Sequence, residues 1–236
     1  KKKCVEIGAE LDKISISKKH KKFRFRDKKK QLQLVNVNYI NPSMFMDLVT
    51  NKKILKILND VFKERYVLSN FNASRPISNF KKYRLHIDSR MPIFNYNNTT
   101  HVVANLCVDD FTIKNGSTVI LENSHKGSRK GRIKKIIAKK GSIVLMLGHL
   151  KHDIGKNIDG TRRWSIIAYY CRWWVKPTYD FVNSCTKKIY GQLSNKQKEV
   201  LGFNATPPID WDKRKYTLRN AKTIPSNFSR LKKYLN

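Results

Sequence analysis

Acidic residues are scarce in this chain. Seventeen Asp and Glu face 50 Lys and Arg, leaving a formal net charge of +33. Long apolar runs are also missing: none approaches the roughly 20 residues that cross a bilayer as a helix. The four cysteines, Cys4, Cys107, Cys171 and Cys185, form no CxxC pair. That argues against a zinc site or a disulfide frame and for free thiols in a reducing, cytoplasmic setting. There is no internal repeat, no secretory signal pattern, and no zinc finger, RNP1-like or other nucleic-acid signature. The sequence starts at Lys1 without a Met. The expectation is therefore that a few residues precede it, and a removed leader stays open.

What is present is a packed globular composition. Hydrophobic residues make up 40% and aromatics 11% of 236 residues, enough for one domain with a sizeable core. The positive charge gathers in three stretches, 18–30, 126–140 and 213–219. Such a field speeds encounter with any polyanion. The clusters are scattered, so they read as solvated surface ahead of a specific nucleic-acid site.

Periodicity places the elements. Residues 1–42 are polar and basic, with short alternating stretches that suggest edge strands and a mobile Lys-rich loop. From 43 to 64, Leu48, Ile54, Ile57, Leu58, Val61 and Phe62 recur at helical spacing after Asn41-Pro42, predicting one amphipathic helix over a sheet face. Strands are expected at 66–73, 83–88, 102–108, 141–147 and 163–170, the last two buried. Asn115-Gly116 reads as a hairpin turn that pairs 117–121 back on the preceding strand. Ser194-x-x-Gln197 is a capping box for a short helix ending before Gly202. The tail with Pro207-Pro208 is expected to wrap the surface. Many short strands with turn signals suggest an all-β core with flanking helices, an antiparallel barrel or jelly roll. The expected organisation is one domain over 1–236: a basic segment (1–42), a jelly-roll core with its covering helix (43–177) and an extension (178–236).

The chemistry centres on His86-Ile87-Asp88 and on His152. Residues two apart on a strand point the same way. Two histidines and one carboxylate make the facial set that holds non-haem Fe(II) with positions left open. A bidentate 2-oxo acid and then O₂ fit those positions. The far carboxylate of such a co-substrate needs a planar cation, and Arg offers two parallel donors where Lys does not. Arg163 is the candidate, with Ser165 beside it on the same strand face, while Arg162 is expected to point the other way. His149 is the rival of His152 as a ligand. His20, His101 and His125 read as structural, and Trp173 and Trp174 as closing the barrel.

The ordered motifs resemble the phytanoyl-CoA dioxygenase (PhyH) family of Fe(II)/2-oxoglutarate-dependent oxygenases from about Tyr66 to Pro177. Tyr66-Val-Leu-Ser-Asn-Phe-Asn-Ala73 resembles the strand before the metal motif, and Leu85-His86-Ile87-Asp88 resembles the HxD itself. Cys107-Val-Asp-Asp-Phe-Thr-Ile-Lys-Asn-Gly116 is similar to the "ALDDxTxxNG" stretch. Asn123-Ser124-His125-Lys126 is similar to "PGSHK", with Glu122-Asn123 where the family has Pro-Gly. Lys140-Gly141-Ser142 and His152, Asn157 and Arg163 match the distal half.

The resemblance implies a double-stranded β-helix of cupin-like type, Fe(II), 2-oxoglutarate, O₂, and release of succinate and CO₂. It implies His86, Asp88 and His152 as ligands, Arg163 for the 2-oxoglutarate carboxylate, and Asn105 near that co-substrate. Asn70 or Asn72 is a further expected pocket residue. The span between Asp88 and His152 is short for the family, so a lid insertion is expected to be absent. Because Asp88 is present, the resemblance favours hydroxylation over halogenation. The substrate is expected to be a small molecule or acyl compound, with a tilt toward anions. A basic polyanion-binding module with a degenerate metal site and a zinc hydrolase are the other readings the residues leave open.

Overall fold

The computed structural model describes residues 1–27, 30–77, 80, 82–89 and 97–205. Among the described residues nine strands run β1 Arg24–Asp27, β2 Gln31–Val35, β3 Tyr66–Pro76, β4 His101–Cys107, β5 Val119–Leu121, β6 Ile133–Lys135, β7 Ile143–Leu147, β8 His152–Asp153 and β9 Ser165–Arg172. Six helices accompany them: α1 Lys2–Ile16, α2 Val37–Ile40, α3 Pro42–Val49, α4 Lys52–Phe62, α5 Lys187–Gln192 and α6 Asn195–Val200. The strands form a six-stranded sheet, β1-β2-β3-β9-β4-β7, and a three-stranded sheet, β6-β5-β8. All pairings are antiparallel. Together they make a jelly roll.

Strand alternation decides what faces what. Trp164, just before β9, and Ile166, Ala168 and Tyr170 on it enter the hydrophobic core beneath the helices. Ser165, Ile167 and Tyr169 instead line the space between the sheets. On β2, Leu32 and Leu34 go to the core while Gln31 and Gln33 line the cavity. On β3 the register shifts between Leu68 and Asn70. The bulge moves the core-facing set from Tyr66 and Leu68 to Phe71 and Ala73.

The helices cover the outer face of the large sheet with Ile7, Leu11 and Ile14 from α1, Phe45 and Val49 from α3, and Leu58 and Phe62 from α4. The single helix expected over 43–64 is two. Thr50 (φ −115°, ψ 30°) and Asn51 (φ −56°, ψ 122°) leave helical space, and the Asn51 side chain accepts hydrogen bonds from the Lys53 and Ile54 amides. Asn51 thus ends one helix and caps the next.

Four other expectations change. Residues 2–16 form a helix, not part of a loop-and-strand segment, because Cys4, Ile7, Leu11 and Ile14 make a buried stripe among the lysines. Residues 83–88 form no strand; His86 makes one isolated bridge, to His152. The 117–121 segment does not pair back on β4, since β5 pairs with β6 and β8. Between β4 and β5 the chain crosses from one sheet to the other, with Phe111 bridged to Ala138 and Asn115 to Asn157. The 141–147 strand, β7, is a half-buried edge rather than a buried centre. The Ser194 capping box is formed as expected on α6. The Pro207-Pro208 tail and the 213–219 cluster lie outside the described residues.

Cys4, Cys107, Cys171 and Cys185 are buried free thiols. Among the described residues, no helix is long and apolar enough to cross a membrane.

Candidate metal centre and its buried arginine

The two sheets enclose a cleft of about 500 Å³, measured out to its open mouth. His86 and His152 line it. The antiparallel bridge between these residues sets them side by side: the His86 amide donates to the His152 carbonyl (3.0 Å), and the His152 amide donates back (2.9 Å). Asp88 is fixed by its own amide, which donates to the Gly148 carbonyl at 2.8 Å, as does the Ser89 amide at 2.9 Å. One ligand atom from each of His86, Asp88 and His152 then lies within 4.8 Å of the others.

Both rings are oriented through Nδ1. His152 Nδ1 lies 2.9 Å from the Leu150 carbonyl and His86 Nδ1 3.3 Å from the Arg84 carbonyl. A carbonyl only accepts, so each Nδ1 carries the proton and each Nε2 keeps a lone pair for a cation. The Nε2 atoms are aimed at Asp88: His152 Nε2 is 3.2 Å from Oδ2 and His86 Nε2 is 3.7 Å from Oδ1. Burial opposes a charge on His152, but the Asp88 carboxylate, together with the Leu150 carbonyl and Asp153, outweighs it and raises the pKa. A divalent cation among the same three groups takes the place of that proton.

Deeper in the cleft sits Arg163, among the largest fully buried side chains. Its Nη1 donates to Ser165 Oγ at 3.0 Å and its Nη2 to the Gly116 carbonyl at 2.6 Å. The guanidinium lies 4.4 Å from the Phe111 ring centroid. Its Nε is buried without a partner, and so is Oδ1 of the neighbouring cavity residue Asn105. Burial pushes the Arg163 pKa down to about 10. Cys107 is no counter-ion, because burial pushes its thiol up to about 12. Among the described residues no carboxylate hydrogen-bonds this arginine, an arrangement that suits a buried anion.

Ser165 completes this end of the cleft and passes its own hydroxyl to the Ser74 carbonyl at 3.3 Å. Asn105 Nδ2 contacts Thr118 Oγ1 at 3.5 Å. Asn70 and Asn72, by contrast, are not among the cavity-lining residues, although Ser74 on the same strand is. Arg162 is no idle surface residue: it binds Asp12 Oδ2 (2.6 Å) and Asp109 Oδ1 (3.0 Å) and so ties α1 to the start of β9.

His149, the rival ligand, is buried apart from the cluster of His86, Asp88 and His152. Its burial, and then the charge of His125, lower its pKa. The turn at 123–126 forms without Pro-Gly because Asn123 adopts a left-handed conformation, φ 61°. Ser124 Oγ then donates to the Leu121 carbonyl and accepts from the Lys151 amide. Trp173 packs on a small cluster with Val67, Cys171 and Val175, while Trp174 is half exposed.

Sequence reasoning missed Gln31, Gln33, Asp153 and Tyr169, which line the same cleft. The alternation of Gln with Leu in β2 carried a signal for the first two. Asp153 gave none beyond its place after His152.

No family model matches the sequence, and no curated protein does. Solved structures do match. HygX from Streptomyces hygroscopicus, with nickel and 2-oxoglutarate bound, has TM-score 0.59 and 13% identity, covering 74% of this chain and 80% of that one. The same protein with iron bound has TM-score 0.55 and 13% identity over 74% and 79%. SnoN, a non-heme alpha-ketoglutarate-dependent epimerase from nogalamycin biosynthesis, has TM-score 0.58 and 15% identity over 75% and 76%. HygX is thus seen with iron or with 2-oxoglutarate, SnoN also with Fe3+ and alpha ketoglutarate, and the fold shared with them is the double-stranded β-helix.

Proposed function

We propose that this chain is an Fe(II)- and 2-oxoglutarate-dependent oxygenase that hydroxylates a C–H bond of a small molecule. The observation that carries the reading is the fully buried Arg163, bonded among the described residues only to a hydroxyl and a carbonyl, in the same cleft that His86 and His152 line beside Asp88. A buried cation with no carboxylate hydrogen-bonded to it, and Asp109 attracting it without such a bond, is costly unless a ligand completes it.

In this reading His86, Asp88 and His152 hold the iron, and Arg163 with Ser165 receives the distal carboxylate of 2-oxoglutarate. Iron, 2-oxoglutarate and O₂ would supply the oxidising chemistry, with release of succinate and CO₂. The chain does the rest. The Nδ1 contacts to Leu150 and Arg84 aim the two imidazoles. Asn105 and Thr118 offer polar contacts beside the co-substrate. Val103, Met146 and Ile167 supply apolar lining that limits water.

HygX is seen with hygromycin B and SnoN with nogalamycin RO, which supports a small molecule over a polyanion as the substrate here. The net charge of +33 supports an anionic one. The neighbour SnoN is an epimerase, so product mass distinguishes the outcomes: hydroxylation adds an oxygen atom and epimerisation adds none.

The test is an anaerobic titration of Fe(II)-loaded protein with 2-oxoglutarate, following the visible charge-transfer band. A band in the wild type that disappears in His152→Ala and shifts to much higher 2-oxoglutarate in Arg163→Ala supports the reading. Folded wild-type protein that gives no band overturns it. Tight, salt-dependent DNA retention would then favour the polyanion-binding module, and zinc-dependent turnover without O₂ the hydrolase.

A further inference from the structure

We infer that Asp153 is a positioning residue for the metal ligands, and that Lys30 makes its burial possible. The inference rests on the metal-centre reading above.

The segment carrying His86 and Asp88 is not a strand, so no ladder holds it in register. Its amides are anchored at three places. Downstream, the Asp88 and Ser89 amides donate to the Gly148 carbonyl. In the middle, His86 and His152 exchange backbone bonds. Upstream, the Arg84 amide donates to Asp153 Oδ2 at 2.7 Å. This third anchor alone depends on a side chain. It also fixes the amide end of Arg84, whose carbonyl, in the next peptide unit, orients the His86 ring. Asp153 therefore acts on one ligand, His86, through Arg84, while adjoining another, His152, in sequence.

The carboxylate is rigidly held. Its Oδ1 accepts from the Ile154 amide at 2.8 Å, and Lys30 Nζ lies 2.5 Å from both oxygens. The side chains of Asp153 and Lys30 are only 2% and 12% exposed. Lys30 Nζ also lies 5.0 Å from the Phe80 ring centroid. A carboxylate buried this deeply needs its counter-ion to remain charged and in place. Lys30 lies between β1 and β2, so a residue of the basic N-terminal segment supports the metal loop from across the fold. Conserving the acceptor while deleting both charges should preserve the anchor; deleting the acceptor should not.

Four variants test this: Asp153→Leu, Lys30→Met, and the doubles Lys30→Met/Asp153→Asn and Lys30→Met/Asp153→Leu. Co(II) affinity is measured by absorption titration, and hydrogen exchange of the Arg84 and His86 amides is measured on metal-free protein. Asp153→Leu is expected to weaken Co(II) binding about 10–100-fold, the scale seen when the groups supporting metal ligands are removed, and to speed both exchanges. Lys30→Met is expected to weaken binding in the same direction. Lys30→Met/Asp153→Asn is expected to return to within a few-fold of wild type, because the Asn oxygen still accepts from Arg84.

Asp12→Ala, which loosens α1 far from the metal, is expected to leave Co(II) affinity unchanged; this separates positioning from general destabilisation. Wild-type affinity and protection in folded Asp153→Leu would overturn the inference. If Asp153→Leu does not fold, equal affinities in the two double variants would overturn it instead. Wild-type protein that binds no Co(II) would sink the metal-centre reading, and the amide exchange would still decide whether Asp153 anchors the loop.

Discussion

His86 and His152 exchange both of their backbone hydrogen bonds, and their ring centroids stand 4.6 Å apart. In an antiparallel bridge, directly opposed side chains leave on the same face. Two distant segments thereby present two imidazoles to one point, with Asp88 beside them. Replacing either histidine by Ala should cost at least about 100-fold in Fe(II) affinity, since three protein ligands fall to two. His149→Ala should leave it within a few-fold. Equilibrium dialysis with Fe(II) under anaerobic conditions reads all three, and a loss confined to His149→Ala would reassign the ligand.

Arg163 makes a sharper prediction about geometry. Arg163→Lys keeps a positive charge but cannot give Ser165, the Gly116 carbonyl and a carboxylate their separate planar donors. The 2-oxoglutarate dissociation constant should rise about 10–100-fold, with Fe(II) binding unchanged. An isothermal titration on the Fe(II)-loaded variant would show it. Wild-type affinity in the lysine variant would mean that charge alone suffices.

The same residue sets a pH dependence. Burial lowers its pKa to about 10 in the ligand-free protein. A dianionic ligand binds the protonated form. Affinity for 2-oxoglutarate should therefore be flat from neutral pH to about pH 9, then fall as the pH passes about 10, where the free protein loses the proton. Folding responds with the opposite sign. Between about 10 and the unfolded value the unfolded chain holds more protons, so this group's contribution to stability rises with pH there. Binding titrations at fixed ionic strength between pH 7 and 10.5 check the first effect. A fall centred well below pH 9 would assign it to another group.

The parts of this structure that repeat a period were legible in the sequence. Short apolar runs marked β3, β4, β7 and β9, alternation marked β2, and the Ser194 box marked α6. That His86, Asp88 and His152 come together was legible, though the expected strand at 83–88 is a loop held by the Gly148 carbonyl and Asp153. What stayed hidden depends on contacts remote in sequence. Helix α1 buries Ile7, Leu11 and Ile14, but exposed lysines dilute the stripe below what composition reveals. The partners of β5 follow from a crossing between sheets, whereas Asn115-Gly116 supplied only a local turn signal. Lys30 looked like one more solvated cation, and only the fold brings it to Asp153.

Asp12 ties helix α1 to the segment that leads into β9. Asp12 Oδ1 accepts from Trp164 Nε1 at 2.8 Å and Oδ2 from Arg162 at 2.6 Å. Both oxygens are partly exposed, which weakens the ionic part. Asp12→Ala should therefore cost about 1–2 kcal/mol of stability, mostly through the indole left unpaired. Urea unfolding measures it. A loss under about 0.5 kcal/mol would show that the apolar stripe alone holds the helix.

Gly148 joins stability to the site. A Cβ there would lie 2.5 Å from the His101 Cβ and 3.0 Å from the His101 carbonyl oxygen. The backbone cannot retreat freely, because the Gly148 amide donates to that carbonyl at 2.8 Å. Meanwhile the Gly148 carbonyl accepts the Asp88 and Ser89 amides, so any shift is passed to the carboxylate of the metal cluster. Gly148→Ala should cost about 1–3 kcal/mol through overpacking and also weaken Fe(II) binding. Gly191→Ala on α5 is the contrast: its Cβ would meet nothing within 4 Å, and helix propensity favours it by about 0.5–1 kcal/mol. Thermal unfolding of both variants, with metal titration alongside, separates the two effects. If Gly148→Ala lowers stability but leaves Fe(II) affinity intact, the Gly148 carbonyl supports the fold without setting the position of Asp88.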